Sequence, residues 1–326
     1  MKKNIAIVMG GYSSEKEISK KSGSVVTKFL SKEKYNVYPV LITKNKWYYL
    51  DELGNESEIN KADFSLTINN RPLHFDCVFN AIHGTPGEDG LLQAYLELIG
   101  IPQTACNYYQ AALTFNKRDL LSTLKPYGIP CATSLPYNKG DEINTSKIID
   151  VVGLPCFVKA NKAGSSYGIS KVYKAKELPK AIENALQEDD EVIIESFLDG
   201  TEVSVGVITY QGEVRVLPIT EIVSDNDFFD YEAKYQGKSQ EITPARLTEE
   251  QHKTVSELAL KIYKVLKLKG YTRSEFIFVN NIPHLLEVNT TPGLTEESIL
   301  PQQAKVAGIS LEELFGSAIE DALMNK

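Results

Sequence analysis

Arg273-Ser274-Glu275-Phe276-Ile277-Phe278-Val279-Asn280-Asn281-Ile282-Pro283-His284-Leu285-Leu286-Glu287-Val288-Asn289-Thr290-Thr291-Pro292-Gly293 holds two apolar runs around a polar turn. The runs Phe276–Val279 and Leu285-Leu286 flank Asn280-Asn281-Ile282-Pro283, the pattern of a β-hairpin. Side chains two apart in a strand share a face, so Arg273 and Glu275 point the same way, as do Glu287 and Asn289. A turn centred near Asn281 sets Glu275 opposite Glu287 and Arg273 opposite Asn289. Two carboxylates and an amide oxygen on one face form a hard-oxygen donor set, suited to magnesium and poorly suited to zinc. Adjacent carboxylates repel, so such a patch is strained without a cation. The plain alternative is a solvated strand face with Arg273 paired to a glutamate. Against it stands Thr290-Thr291-Pro292-Gly293, a turn whose amides suit an anion beside the metal.

Upstream, Ile5–Met9 is a continuous apolar run, as in a buried parallel strand, ending at Gly10-Gly11. Ser14-x-x-Glu17 is a capping-box pattern, and Ile18, Val25, Phe29 and Leu30 follow near helical spacing. Val37–Ile42 and Phe75–Ile82 read as further strands, and Leu91–Ile99 as a helix stopped by Gly100. Residues 45–72 read as a polar, irregular insertion. The first third is thus a small α/β lobe. Beyond it come helices over 107–127, strands at Cys156–Ala160 and Val192–Phe197, and a helix over Leu178–Leu186. Strands at 202–208 and 214–219 and a helix near 248–267 then lead to the hairpin. The polar segment 224–243 is long for a compact domain and is a candidate lid. The chain divides into 1–105, 106–195 and 196–326.

The 326 residues suit two or three lobes sharing a site. A net charge of −8 is a poor match for nucleic acid or an anionic membrane, so neither is expected as a partner. Cys77, Cys106, Cys131 and Cys156 form no CxxC pair, which points to unpaired thiols in a reducing cytoplasm. Lys2 and Lys3 resemble the start of a signal peptide, but the apolar run after them ends at glycine and no stretch is long enough to span a bilayer.

Lys159 ends a strand just before Gly164-Ser165-Ser166-x-Gly168, and a glycine-serine backbone near a lysine is a usual cover for phosphates. GxxxxGK[ST] is absent, which disfavours a P-loop, and a plain β-turn is the alternative. Lys117 starts a helix within reach of phosphate. Glu195 ends one strand and Glu202 starts the next, placed for an adenine amino group and a ribose hydroxyl. Taken alone, each is equally a solvated charge.

Together these segments resemble the D-alanine–D-alanine ligase family of ATP-grasp enzymes. The matching stretches are strand-Gly10-Gly11, Ser13-Ser14-Glu15-Lys16-Glu17-Ile18-Ser19, His83-Gly84-x-x-Gly87-Glu88-Asp89-Gly90, Val158-Lys159-x-x-x-x-Gly164-Ser165-Ser166-x-Gly168, Tyr231-Glu232-Ala233-Lys234-Tyr235 and Leu286-Glu287-Val288-Asn289-Thr290-x-Pro292-Gly293-Leu294-Thr295. They run in family order from Gly10 to Ser298. The resemblance implies an α/β ATP-grasp fold of three lobes with an N-terminal parallel-sheet (pre-ATP-grasp) domain. It implies that ATP, as co-substrate, activates one D-alanine as an acyl phosphate and that a second D-alanine attacks it. By the same resemblance, the dipeptide would serve peptidoglycan.

The resemblance also distributes roles. Glu15, with His83 nearby, would hold the ammonium of the first D-alanine, and Ser165 and Tyr235 would complete a network closing the site. Lys117, Lys159 and Lys234 would contact phosphates; Glu195, Leu198 and Glu202 would meet the adenosine. Arg273 and the Gly293 amide would stabilise the tetrahedral intermediate, and Ser298 would bind the second carboxylate. Glu275, Glu287 and Asn289 would hold two magnesium ions, with manganese as the alternative. The family is often dimeric, so a homodimer is expected. Glu275 departs from the aspartate usual there, moving the carboxylate outward by about one carbon–carbon bond.

Three rivals stand beside this reading. One is a related ligase taking D-serine or D-lactate as second substrate, against which Glu232-Ala233-Lys234-Tyr235 resembles the D-alanine form. A Rossmann dehydrogenase lacks support because Gly10-Gly11 is not GxGxxG. A non-catalytic nucleotide-binding regulator rests on Glu275 alone.

Overall fold

In the computed structural model, residues 2–164, 167–224 and 239–324 are described. The apolar run at the N-terminus becomes β1 (Lys3–Gly10), whose Ile5, Ala6, Ile7 and Val8 are fully buried. Then come α1 (Lys16–Phe29), β2 (Tyr35–Ile42), β3 (Trp47–Leu50), β4 (Glu56–Asn60), β5 (Ser65–Ile68), β6 (Arg71–Leu73), β7 (Cys77–Asn80) and α2 (Leu91–Leu98). β1 lies parallel to β2 and β7, as a strand buried on both faces requires. Two expectations are corrected. Residues 45–72 are not irregular: β3 to β6 extend the sheet as an antiparallel meander. Its tight turn at Asn69-Asn70 takes positive φ at both positions, a conformation asparagine tolerates. The strands there are three to five residues long, too short for periodicity to stand out. Nor does Ser14 cap α1. Glu15 holds the cap position without a side-chain cap bond, and the Glu15 N–H donates to Ser13 Oγ instead.

After α3 (Tyr108–Phe115) and α4 (Lys117–Leu124), β8 (Ser134–Asn138), β9 (Cys156–Ala160), β10 (Ser170–Val172) and β11 (Glu191–Ser196) form a second sheet, with α5 (Thr145–Val152) and α6 (Leu178–Ala185) between its strands in the chain. Its strands run antiparallel in the order β10-β9-β11-β8. The third sheet contains β12 (Thr201–Tyr210), β13 (Glu213–Val216), β14 (Thr220–Ser224), β15 (Ser239–Ile242), and, after α7 (Glu249–Val265), β16 (Tyr271–Val279) and β17 (Ile282–Asn289). α8 (Ile299–Val306) and α9 (Leu311–Met324) close the chain.

The third sheet is two-faced. Val203, Val205, Val207, Phe276 and Leu285 point to one side and pack with Val255, Ala259 and Ile262 of α7. Each such side chain contributes about 1.5–3 kcal/mol when buried. The opposite face carries the polar residues Glu202, Ser204, Arg273, Glu275, Glu287 and Asn289, which the register places side by side. Arg273 pairs with Asn289 and Glu275 with Glu287, the pairings expected from the sequence. The turn itself is shorter than a centre at Asn281 requires. Val279 pairs with Ile282 around Asn280-Asn281, both at positive φ. A β-bulge between Glu275 and Phe276 makes up the missing residue, so Leu285 faces the core while Glu287, two residues on, faces the site. The long polar segment is partly sheet, ending in β15, and its residues 225–238 lie outside the described ones.

Candidate active site

A cavity of about 400 Å³ lies where the three sheets meet, with Glu15, His83, Lys117, Arg273, Gly293 and Ser298 among its walls. Glu15 is brought in by the start of α1, His83 by the loop after β7, and Lys117 by the first residue of α4. Arg273 comes from β16, and Ser298 from the N-cap of α8.

Glu15 is 7% exposed and sits against backbone. A Cβ on Gly164 would come within 2.6 Å of Glu15 Oε2, so the first glycine of the glycine-serine loop is there to let the carboxylate approach. Gly164→Ala is therefore expected to displace Glu15 and, on the amino-acid-binding role the resemblance implies for that carboxylate, to raise the KM for the first amino acid about tenfold or more, with the nucleotide KM little changed. Equal KM values in variant and parent would dismiss the contact. Gly293 is similarly tight, since a Cβ there would meet Ser298 Oγ at 2.7 Å.

His83 lies in this wall, yet both ring nitrogens are engaged by protein. Nδ1 is 2.8 Å from the Thr291 carbonyl and Nε2 is 2.8 Å from Ser22 Oγ. Burial lowers the imidazole below its ordinary 6.5, against the pull of the Glu15 carboxylate. The cavity also holds Glu88 and Glu241, to which the sequence reading gave no role. Glu88 Oε2 accepts the Gly84 N–H at 2.6 Å. Burial first, and then the Glu15 carboxylate, hold Glu88 well above the usual carboxylate range. Glu88 was within sight, because it belongs to the His83–Gly90 motif. Glu241 carried no signal, since only the pairing of β14 with β15 turns it toward the cavity.

The cations are arranged in pairs. Lys117 Nζ donates to the Ala163 carbonyl at 2.8 Å and lies 3.4 Å from Glu287 Oε2, tying the loop before Gly164 to the hairpin. Lys159 and Glu195 form a 2.6 Å ion pair with side chains 12% and 3% exposed. Burial alone would lower the Lys159 ammonium, but Glu195, then Glu287 and Glu202, outweigh it and raise the pKa. Leu198 sits half-buried between β11 and β12, and Glu202 faces the site from β12. Arg273 Nε donates to Glu275 Oε1 at 2.6 Å, and Ser204 Oγ donates to the same oxygen at 3.3 Å. Glu275, Glu287 and Glu241 hold the buried guanidinium above its ordinary pKa despite the cost of burial. Ser165, Lys234 and Tyr235 lie outside the described residues.

Among the described residues, no group of three or more His, Cys, Asp and Glu side chains is gathered for a metal. The candidate donor set is instead two carboxylates and an amide. One observation fits it to a cation: Glu275 Oε2 is buried and has no hydrogen-bond partner, while its neighbour in register is Glu287. A buried carboxylate oxygen without a donor is costly unless a cation faces it.

Three sheets meeting at a cleft lined by lysines, carboxylates and Gly164 define the ATP-grasp class, with a parallel-sheet domain before it. Model sequences of the family confirm the class: residues 4–106 match the D-ala D-ala ligase N-terminus and 123–320 the D-ala D-ala ligase C-terminus. The chain belongs to the D-alanine–D-alanine ligase family. It is 68% identical over 321 residues to the D-alanine–D-alanine ligase of Flavobacterium johnsoniae, covering 98% of this chain and 99% of that one. It is 62% identical to that of Christiangramia forsetii, covering all of both. Among solved structures, it resembles the VanG D-Ala:D-Ser ligase of Enterococcus faecalis (32% identity, TM-score 0.86, 99% and 100% covered). It also resembles a D-alanine–D-alanine ligase of Bacillus anthracis complexed with ATP (29% identity, TM-score 0.81, 99% and 98% covered). No helix among the described residues is long and apolar enough to cross a membrane.

Proposed function

We propose that this enzyme uses ATP to join two D-alanine molecules through an acyl phosphate, supplying D-alanyl-D-alanine for peptidoglycan. The reading is carried by the meeting of Glu15, Arg273, Gly293 and Ser298 in one cavity, beside the facing carboxylates Glu275 and Glu287. A carboxylate is a poor acyl donor until it bears a good leaving group, and both steps develop negative charge that fixed donors must stabilise. Glu15 accepts the ammonium of the first D-alanine. Arg273 and the Gly293 N–H face the oxygen that becomes negative when the second amine attacks. Ser298 Oγ donates to the second carboxylate. Lys117 and Lys159 contact phosphate, exchanging part of their pairing with Glu287 and Glu195 for the nucleotide, while Glu195, Leu198 and Glu202 meet adenosine.

Glu275, Glu287 and Asn289 would hold two magnesium ions, or manganese, which neutralise the transferred phosphoryl group. The segments 1–105, 106–195 and 196–326 act as the three lobes. A homodimer resident in the cytoplasm is part of the same proposal, supported by the family resemblance.

The test is product analysis with D-alanine, D-serine and D-lactate offered as second substrate. ADP release dependent on D-alanine, with D-alanyl-D-alanine as the main product at neutral pH, is the expected result. Exclusive use of D-lactate at neutral pH, or of D-serine as in the activity named for the VanG structure, would overturn the second-substrate assignment.

A further inference from the structure

The first amino acid is read by Glu15 at the head of α1, whereas the Gly293 amide sits on a loop far along the chain. Ser22 and His83 lie between them. Ser22, on α1, is fully buried and His83 is 4% exposed. Seven residues separate Ser22 from Glu15, about 10 Å along one helix, so the two move as a unit.

The hydrogen bonds leave a single assignment of protons. The Thr291 carbonyl only accepts, so His83 Nδ1 carries the hydrogen and donates to it at 2.8 Å. The neutral ring then offers a lone pair at Nε2, which accepts the Ser22 hydroxyl at 2.8 Å. Ser22 Oγ in turn accepts the Leu294 N–H at 3.2 Å. His83 thus contacts the loop at Thr291, and Ser22 contacts it at Leu294, on either side of Pro292-Gly293. Every polar atom of this set is satisfied only while His83 is neutral. A proton on Nε2 would turn it into a donor facing an oxygen whose hydrogen must then point elsewhere. Glu15 at the head of α1, Glu88 on the same loop and Arg273 on β16 are the charged groups around the ring, and burial lowers its pKa.

We propose that Ser22 and His83 form an uncharged relay that fixes the Gly293 amide relative to Glu15, making both of them positioning residues for the joining step. This rests on the ligase reading given above. Ser22 Oγ is engaged wholly by His83 and Leu294 and acts through them. His83 does so too, because neither ring nitrogen is left for substrate.

Two measurements test the relay. In enzyme labelled with ¹⁵N-histidine, long-range ¹H–¹⁵N correlation distinguishes the four histidines, with His83→Asn identifying the His83 signals. The expected result is an Nδ1–H ring that stays neutral as the pH is lowered through 6.5. An Nε2–H ring, or ordinary titration, would overturn the relay, and this measurement needs no folded variant of Ser22. In kinetics, Ser22→Ala is expected to lower kcat about tenfold with the KM for ATP unchanged, and the double variant with His83→Asn to be no worse than His83→Asn alone. Parental kcat in Ser22→Ala, or additive losses in the double variant, would overturn it. Absence of D-alanine-dependent ADP release in the parent enzyme would remove the ligase reading instead, and the ring tautomer would still decide whether the relay exists.

Discussion

Glu287→Gln is expected to lower turnover by about 10²–10³-fold while hardly changing the affinity for D-alanine. Glu287 stands opposite Glu275 in the hairpin and 3.4 Å from Lys117, and the cavity also holds Glu15, the residue assigned to the first D-alanine. On the metal assignment proposed above, removing its charge leaves the Glu15 pocket intact but weakens a cation site serving charge developed late in the reaction, so the loss falls on kcat. The measurement is steady-state ADP release at saturating magnesium, set beside calorimetric binding of D-alanine without nucleotide. Undiminished turnover would take Glu287 out of the metal site. A loss confined to D-alanine affinity would place it in the amino-acid pocket.

Arg273→Ala should be damaging in two ways. The Arg273 and Glu275 side chains are 15% and 8% exposed, and they share a 2.6 Å charged hydrogen bond. Removing one partner of a buried pair costs about 3–5 kcal/mol, because the other charge stays buried. Here the penalty is aggravated by Glu287 and Glu241, which also depend on this guanidinium. The thermal midpoint should therefore fall and recover in part on adding magnesium, as a cation compensates the exposed carboxylates. Turnover should fall by about 10²–10³-fold through loss of a charged donor to the developing oxyanion. A variant as stable as the parent, or one whose unfolding ignores magnesium, would separate Arg273 from the carboxylate cluster.

Much of this was legible in the chain before any coordinates. The buried β1, the hairpin and the grouping of Arg273, Glu275, Glu287 and Asn289 follow from two-residue periodicity and apolar runs, which are local properties. What escaped was set by long-range pairing. The meander of β3 to β6 consists of strands too short for periodicity, held by neighbours in the sheet. Glu241 faces the cavity only because β15 joins β14. The bonding of His83 depends on partners 61 and 208 residues away, which no spacing rule reaches. Ser14 misled because a capping pattern competes with a tertiary demand: the head of α1 is where Glu15 must stand.

The bulge in the β16–β17 hairpin has a consequence for how this site can change. Leu285 and Glu287 share parity along the strand, yet one enters the oily interior and the other the reaction chamber. The extra residue works like a frameshift written into the backbone. Deleting Leu286 would only remove the bulge and leave Glu287 opposite Glu275, whereas inserting one residue between Glu275 and Phe276, opposite Leu286, would fill it and put Glu287 and Asn289 on the Leu285 face, toward α7. Point substitutions can tune this chamber gradually. Filling the bulge is all-or-none, so lineages carrying the site should vary freely in hairpin side chains while never lengthening β16 by one residue opposite Leu286.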